Sequence, residues 1–122
     1  MATVQTIKPT SFATDFNFSS EKPRWQLILE TAFSKDIRIM LAKGQSLREH
    51  KAPFPIAVHL LEGSIDFGVN RRPQRLEKGA ILTLDANVPH DLFAHENSVV
   101  RLTLSKPDTV ERVDEVVKSS RS

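Results

Sequence analysis

The four histidines are the residues of this chain best suited to hold a metal ion or a polar ligand. A neutral imidazole carries one nitrogen lone pair, which can bind a divalent ion or accept a hydrogen bond. The chain has no cysteine, which excludes disulfides, thiolate zinc sites and cysteine nucleophiles. It also lacks a GxSxG turn and a glycine-rich phosphate loop, because its four glycines are scattered. The chemistry to be explained is therefore that of the imidazoles and the charged groups near them.

Short segments rich in Val, Ile, Leu and Phe must position these histidines. Residues 24–31 (RWQLILET) form the first segment, and residues 37–42 show the two-residue period of a half-buried strand. The later segments, each bounded by Gly, Pro or Asn, are SLREHKA, IAVHLLE, SIDFGV, GAILTLD, HDLFAHE and SVVRLTLS. Many short strands at this spacing, with no long helical period between them, predict an all-β sandwich or barrel.

The two ends of the chain differ from this middle part. Residues 1–23 are polar, but Phe16 and Phe18 fall on one face of an extended chain, so we expect this arm to add a strand to its own sheet or to a neighbour's. Residues 107–122 carry valines at helical spacing, which leaves a short docked helix and a frayed tail as alternatives. The middle, residues 24–106, is predicted to be a single barrel. Because a small barrel leaves sheet edges that a second copy can cover, we predict a homodimer.

The composition bounds the possible partners. The chain of 122 residues has 17 basic and 15 acidic residues, and its one basic cluster (Arg71, Arg72 and Arg75) lies at a turn marked by Pro73. That cluster indicates a solvated hairpin tip rather than a nucleic-acid interface. No segment resembles a signal peptide, and none approaches the roughly 20 apolar residues of a membrane helix. We therefore expect a soluble, cytoplasmic protein that binds neither nucleic acid nor membrane.

Residues 44–63 and residues 79–90 resemble the paired motifs of the cupins. Residues 44–63 (GQSLREHKAPFPIAVHLLEG) resemble the first motif, a Gly followed by His-x-His, a Glu and a further Gly. Residues 79–90 (GAILTLDANVPH) resemble the second motif, which runs from a Gly to a Pro-His pair, and 15 residues separate the two. The resemblance implies a small single-domain cupin, that is, a double-stranded β-helix or jelly-roll barrel.

The resemblance also implies where a metal would be bound. In metal-binding cupins the first motif supplies two His and one Glu, and the second motif supplies a third His. Matched position by position, those ligands become His50, Ala52, Ile56 and His90. Two imidazoles remain and the carboxylate is lost, so iron(II) chemistry of the two-His-one-carboxylate type is not expected. Two readings stay open: one divalent ion (Zn, Ni, Fe, Mn or Cu) on His50 and His90, or a pair of pocket imidazoles hydrogen-bonded to water or to a ligand.

Two further residues are candidates for the same pocket. Arg48 shares strand parity with His50, and an inward guanidinium would favour a carboxylate ligand; the alternative is an Arg that extends to the rim. Simple alternation turns His59 away from the pocket, but a bulge near Pro53 or Pro55 would bring it in. The predicted pocket therefore contains Arg48, His50, Ala52, Ile56, His59 and His90.

Three functional hypotheses follow. The leading one is a protein that binds a small organic molecule, an anion if Arg48 faces inward, in a cupin barrel with a degenerate metal site. The alternative is a metal-dependent enzyme, a dioxygenase, isomerase or decarboxylase, that uses His50 and His90. The third is an interaction module that senses a ligand for a separate partner.

Overall fold

A computed structural model describes residues 9–120 as nine strands followed by one helix. The all-β prediction is confirmed, and of the two alternatives for the C-terminal segment the structure shows the short helix. The elements are β1 (Arg24–Glu30), β2 (Ser34–Leu41), β3 (Ser46–His50), β4 (Ile56–Glu62), β5 (Ser64–Val69), β6 (Arg72–Glu77), β7 (Ile81–Leu84), β8 (His90–Ala94), β9 (Ser98–Ser105) and α1 (Val110–Ser119). No helix among these residues has the length and apolar character needed to cross a membrane.

The strands form two antiparallel sheets that face each other. The first sheet has the order β1-β2-β9-β4-β7, and the second has the order β3-β8-β5-β6. Alternate side chains of each strand point between the sheets, as the two-residue period of a strand requires. The buried residues that fill this space include Ile37, Ile39, Leu41, Val58, Leu60, Ile65, Phe67, Leu92, Val100 and Leu104.

Helix α1 packs against β1 and β3, which are edge strands of the two sheets. Thr109 is its N-cap and accepts a hydrogen bond from the backbone N–H of Arg112. The carboxylate of Asp108, the residue before this cap, accepts two hydrogen bonds from the Arg112 side chain. The valines at helical spacing turn inward, and those buried are Val113, Val116 and Val117. Their burial against the strands holds a helix whose β-branched residues are poor helix formers on their own.

The N-terminal arm lies on the outer face of the first sheet. Residues 9–23 form no strand, but Arg38 of β2 holds them through their backbone. Its Nη1 donates to the carbonyls of Phe12 (3.3 Å) and Thr14 (2.5 Å), and its Nη2 donates to that of Asp15 (3.4 Å). The arm thus contacts its own sheet, and pairing of the arm with a second copy stays a prediction. Residues 1–8 of the predicted arm lie outside the described residues, as do residues 121–122 of the predicted C-terminal segment.

Gly63 makes the tight turn between β4 and β5, and replacing it with alanine is expected to cost about 2 kcal/mol. Its φ is +93°, a value that costs a residue with a Cβ about 1–2 kcal/mol. A Cβ there would also overlap Ser98 Oγ and lie 2.6 Å from the carbonyl oxygen of Asn97. The free energy of unfolding from urea denaturation measures this loss.

Gly79 provides the matched control for that substitution. Its φ is +94°, almost the same as that of Gly63, but nothing lies within 4 Å of a Cβ placed there. Gly79→Ala should therefore cost only the backbone term, about 1 kcal/mol. Equal losses in the two variants would show that the close approach of Gly63 to residues 97–98 contributes nothing.

Candidate functional site

A β-bulge in β3 brings His50 opposite His90. Strand β3 pairs with β8 so that Leu47 lies opposite Leu92 and His50 lies opposite His90. The two residues 48–49 are therefore matched by a single residue on β8, which is the definition of a bulge. As a result, Leu47 and His50 both face the barrel interior although they are three positions apart.

The two imidazoles are in direct contact. Their ring centroids are 4.2 Å apart with an angle of 62° between the planes, an edge-to-face arrangement. His90 also stacks on Phe67, with centroids 5.7 Å apart and planes 18° from parallel. His90 is only 5% exposed, whereas His50 is partly exposed. Packing on both sides of His90 therefore fixes the orientation of the pair.

Backbone carbonyls determine which nitrogen of each ring carries the proton. His50 Nδ1 lies 2.6 Å from the carbonyl oxygen of Arg48, and His90 Nδ1 lies 2.9 Å from that of Val88. A carbonyl oxygen can only accept, so each Nδ1 must be the protonated nitrogen that donates. In the neutral ring, Nε2 then carries the lone pair and is free to accept a hydrogen bond.

Both imidazoles are neutral at physiological pH. Burial lowers the pKa of His50 to about 4, against the smaller opposing effect of its hydrogen bond to the Arg48 carbonyl. Burial likewise lowers the pKa of His90, and the positive charge of Arg112 adds to the effect on both rings. The site therefore presents two hydrogen-bond acceptors rather than two positive charges.

The histidines line a small apolar cavity at the end of the barrel covered by α1. Its walls come from both sheets and from α1, and the apolar lining residues are Ile39, Leu47, Ile56, Val58, Phe67, Leu92, Val100, Leu102, Val113, Val116 and Val117. The volume open to the centres of water-sized molecules is about 30 Å³. Such a space accommodates about two or three waters.

Arg112 is the one charged residue among the described residues that line this cavity. Its Nε and Nη2 donate to the two carboxylate oxygens of Asp108 at 2.7 and 2.8 Å, a bidentate pair that leaves Nη1 outside the pair. The sequence analysis did not identify Arg112. The spacing of Asp108 and Arg112 by four residues was the available signal for their pairing, but nothing in the sequence showed that this helix covers the cavity.

The structure brings three of the six predicted pocket residues together. His50, His90 and Ile56 line the cavity, and Ile56 faces it from β4 at the position where the resemblance placed the carboxylate. Ala52 is buried, 3% exposed, in the segment after β3, but it does not line the cavity. Because Ile56 stands where a carboxylate would be, the cavity wall at this position is apolar.

The structure places Arg48 and His59 outside the cavity. Arg48 is exposed because the bulge turns it outward, and its Nε donates to Ser119 Oγ at the end of α1. His59 lies on the outer face of β4 between the buried residues Val58 and Leu60. The irregularity in the pairing of β4 with β9 comes after Leu60, too late in the strand to change the direction of His59.

The donor set fits only part of the metal site that the cupin motifs imply. His50 and His90 have the Nδ1–carbonyl hydrogen bonds that commonly orient metal-binding histidines. Among residues 9–120, however, no group of three or more His, Asp or Glu side chains lies close enough together to bind an ion. Enzymatic zinc and non-haem iron sites use at least three protein ligands. The described residues therefore do not fit such a centre, and no reaction step is derived through a metal.

The fold is shared with several solved structures. An RmlC-like cupin from Desulfovibrio desulfuricans superposes with a TM-score of 0.75 at 20% identity, covering 82% of this chain and 97% of that chain. A conserved protein of unknown function from Streptococcus pyogenes gives 0.71 at 20% identity, covering 87% and 93%. A salicylate 1,2-dioxygenase from Pseudaminobacter salicylatoxidans gives 0.59 at 18% identity, covering 67% of this chain and 23% of the dioxygenase.

At the level of sequence, no protein-family model and no curated protein matches the chain. The three structures named above, at 20% identity or less, establish the fold alone. The two antiparallel sheets and the two motifs agree with them, and the chain is a small protein with the cupin fold.

Proposed function

We propose that this barrel binds a small, largely apolar organic molecule that donates a hydrogen bond to His50 or His90. The proposal rests on two neutral imidazoles in contact, with ring centroids 4.2 Å apart, in a cavity whose other walls are almost entirely apolar. A cavity of this kind, with a few convergent polar groups, is the usual form of a small-molecule site.

The charges around the cavity favour a neutral ligand over an anion. The two imidazoles are uncharged at neutral pH, and Asp108 already neutralises Arg112 through a bidentate pair. The inward Arg48 that would have favoured a carboxylate instead lies at the surface. A hydroxyl or an N–H group is the natural partner for an Nε2 lone pair. The ligand class proposed is therefore an apolar alcohol, phenol or amide.

Benzyl alcohol and toluene form a matched pair of probes for this site, because they differ only in the hydroxyl group. We expect wild-type protein to bind benzyl alcohol more tightly than toluene in NMR titrations, and His50→Leu to weaken benzyl alcohol binding about tenfold. Toluene binding should not weaken in that variant. His59→Leu, on the outer face of β4, is the control and should leave both affinities unchanged.

Three outcomes of this titration would contradict the proposal, each in a different part. Tighter binding of benzoate than of benzyl alcohol would contradict the neutral-ligand assignment. Equal loss of benzyl alcohol and toluene in His50→Leu would show that the imidazole acts only through packing. Failure of the wild-type protein to bind any of the three probes would contradict the binding function itself.

A metal-dependent enzyme using His50 and His90 is the second candidate. One observation favours it, namely the carbonyl-oriented Nδ1 groups that leave both Nε2 atoms free. It also agrees with the presence of a dioxygenase among the proteins that share the fold. Elemental analysis after purification decides between the two: one tightly bound ion per chain, lost in His90→Ala, would support the metal site, whereas no binding of added zinc or nickel would end it.

A further inference from the structure

We propose that helix α1 is a displaceable lid, and that a bound ligand and the inward valines of α1 compete for the same space. The inference rests on the proposed binding function and adds to it how the cavity opens. Access of an organic molecule to His50 and His90 then requires α1 to move away from the barrel end.

The size of the cavity is the first argument. About 30 Å³ is open to the centres of water-sized molecules, enough for roughly two or three waters and too little for a six-carbon ring. Val113, Val116 and Val117 occupy the neighbouring space and are nearly fully buried. A ligand that reaches the imidazoles must therefore displace some of these side chains.

The second argument is that α1 is held to the barrel less extensively than the strands are held to one another, so α1 can move more easily than the rest of the cavity wall. The other lining residues belong to strands joined by hydrogen-bond ladders. Besides its buried valines, α1 is attached to the barrel by hydrogen bonds that involve side chains, among them the one from Arg48 Nε to Ser119 Oγ. Trp25 Nε1 donates to Asp114 Oδ1 (2.9 Å), and the Arg48 backbone N–H donates to Ser120 Oγ (3.0 Å).

The ion pair between Asp108 and Arg112, of which Arg112 lines the cavity, is the third argument. Arg112 and Asp108 belong to the same terminal segment and bind each other. When α1 moves, the pair can move with it, so no buried charge loses its partner. Lys35 Nζ donates to the Asp108 carbonyl at 2.7 Å and so attaches the segment before α1 to β2.

Weakening the contact between Trp25 and Asp114 tests the lid directly. If α1 must open, Asp114→Ala lowers the cost of opening and should bind benzyl alcohol about threefold to tenfold more tightly than wild type. Asp114 also pairs with the exposed Lys118 at 2.9 Å, so Lys118→Ala removes that pair without touching Trp25 and should leave the affinity unchanged. Trp25 is the sole tryptophan, and its fluorescence should change as benzyl alcohol displaces the helix.

A covalent lock tests the same point without relying on a weaker contact. The chain has no cysteine, so Arg48→Cys with Ser120→Cys introduces a single defined pair at a place where the two segments meet. We expect the oxidised protein to lose benzyl alcohol binding and the reduced protein to regain it. Equal binding in both forms would overturn the lid.

The outcomes separate the lid from the binding function. If wild type binds benzyl alcohol but Asp114→Ala binds it no more tightly and the locked protein still binds it, the binding function stands and the lid is wrong. If no form of the protein binds benzyl alcohol, toluene or benzoate, the binding function fails and the lid fails with it.

Discussion

Replacing Asp108 with alanine lowers the free energy of unfolding by about 3–4 kcal/mol, because it leaves the Arg112 guanidinium without its partner beside an apolar cavity. Asp108 is 2% exposed, and its carboxylate accepts from Arg112 Nε and Nη2 and from the backbone N–H of Thr109. Its loss also removes a negative charge next to the N-terminus of α1. Urea denaturation followed by circular dichroism measures the change.

Two further variants separate the ion pair from a general weakening of α1. Glu111→Ala removes an exposed acidic residue of the first helical turn and should cost no more than about 0.5 kcal/mol. In a double variant, Asp108→Ala with Arg112→Met, no unpaired charge remains, so much of the stability should return. A double variant as unstable as the sum of the two single variants would contradict a direct interaction between these side chains.

Acid should destabilise the protein between about pH 6.5 and pH 4 through the imidazole pair. The unfolded chain takes up protons near pH 6.5 at each histidine, whereas burial holds the pKa of folded His50 at about 4. The unfolded state therefore binds more protons in this window, and the free energy of unfolding falls as the pH is lowered. His50 alone accounts for about 2 kcal/mol between pH 7 and pH 5, and His90, whose pKa is also lowered, adds in the same direction.

His50→Leu identifies the source of this acid sensitivity. The variant removes from the cavity a group whose pKa burial lowers to about 4, so its stability should fall less steeply from pH 7 to pH 5. His59→Leu is the matched control, because it removes an imidazole on the outer face of β4 that does not line the cavity. Parallel slopes in wild type and His50→Leu would show that His50 takes up its proton equally well in the folded and unfolded chains.

The strands and the paired histidines could be predicted from the sequence because both depend on local patterns. The two-residue period of residues 37–42 predicts the strand that forms there, but the expected half-burial is wrong, because the N-terminal arm also buries Arg38 (3% exposed) and Met40 (1% exposed) on the outer face. The Pro-His pair at residues 89–90 marks the start of a strand after a turn. The valine spacing after Pro107 left a docked helix and a frayed tail as alternatives, and the structure shows the helix. These patterns do not depend on which strands become neighbours.

The direction of Arg48 depended on information that one strand does not contain. The bulge at residues 48–49 exists because β8 has a single residue opposite them, and strict alternation along β3 gives Arg48 the wrong face. Arg112 was missed for a related reason, since its position at the cavity follows from the docking of α1 on strands far away in sequence. Long-range pairing, rather than local preference, therefore decided which charged residue reached the site.

At neutral pH, His50 and His90 are neutral rings that carry a proton on Nδ1 only, with Nε2 available to a ligand. Long-range proton–nitrogen correlation NMR measures this directly, with His59→Leu and His95→Leu used to assign the four imidazoles. We expect the Nδ1–H form for both rings at pH 7, and we expect His50 to take up a second proton only when the pH is well below 6. A ring protonated at Nε2, or a His50 that titrates near pH 6.5, would contradict it.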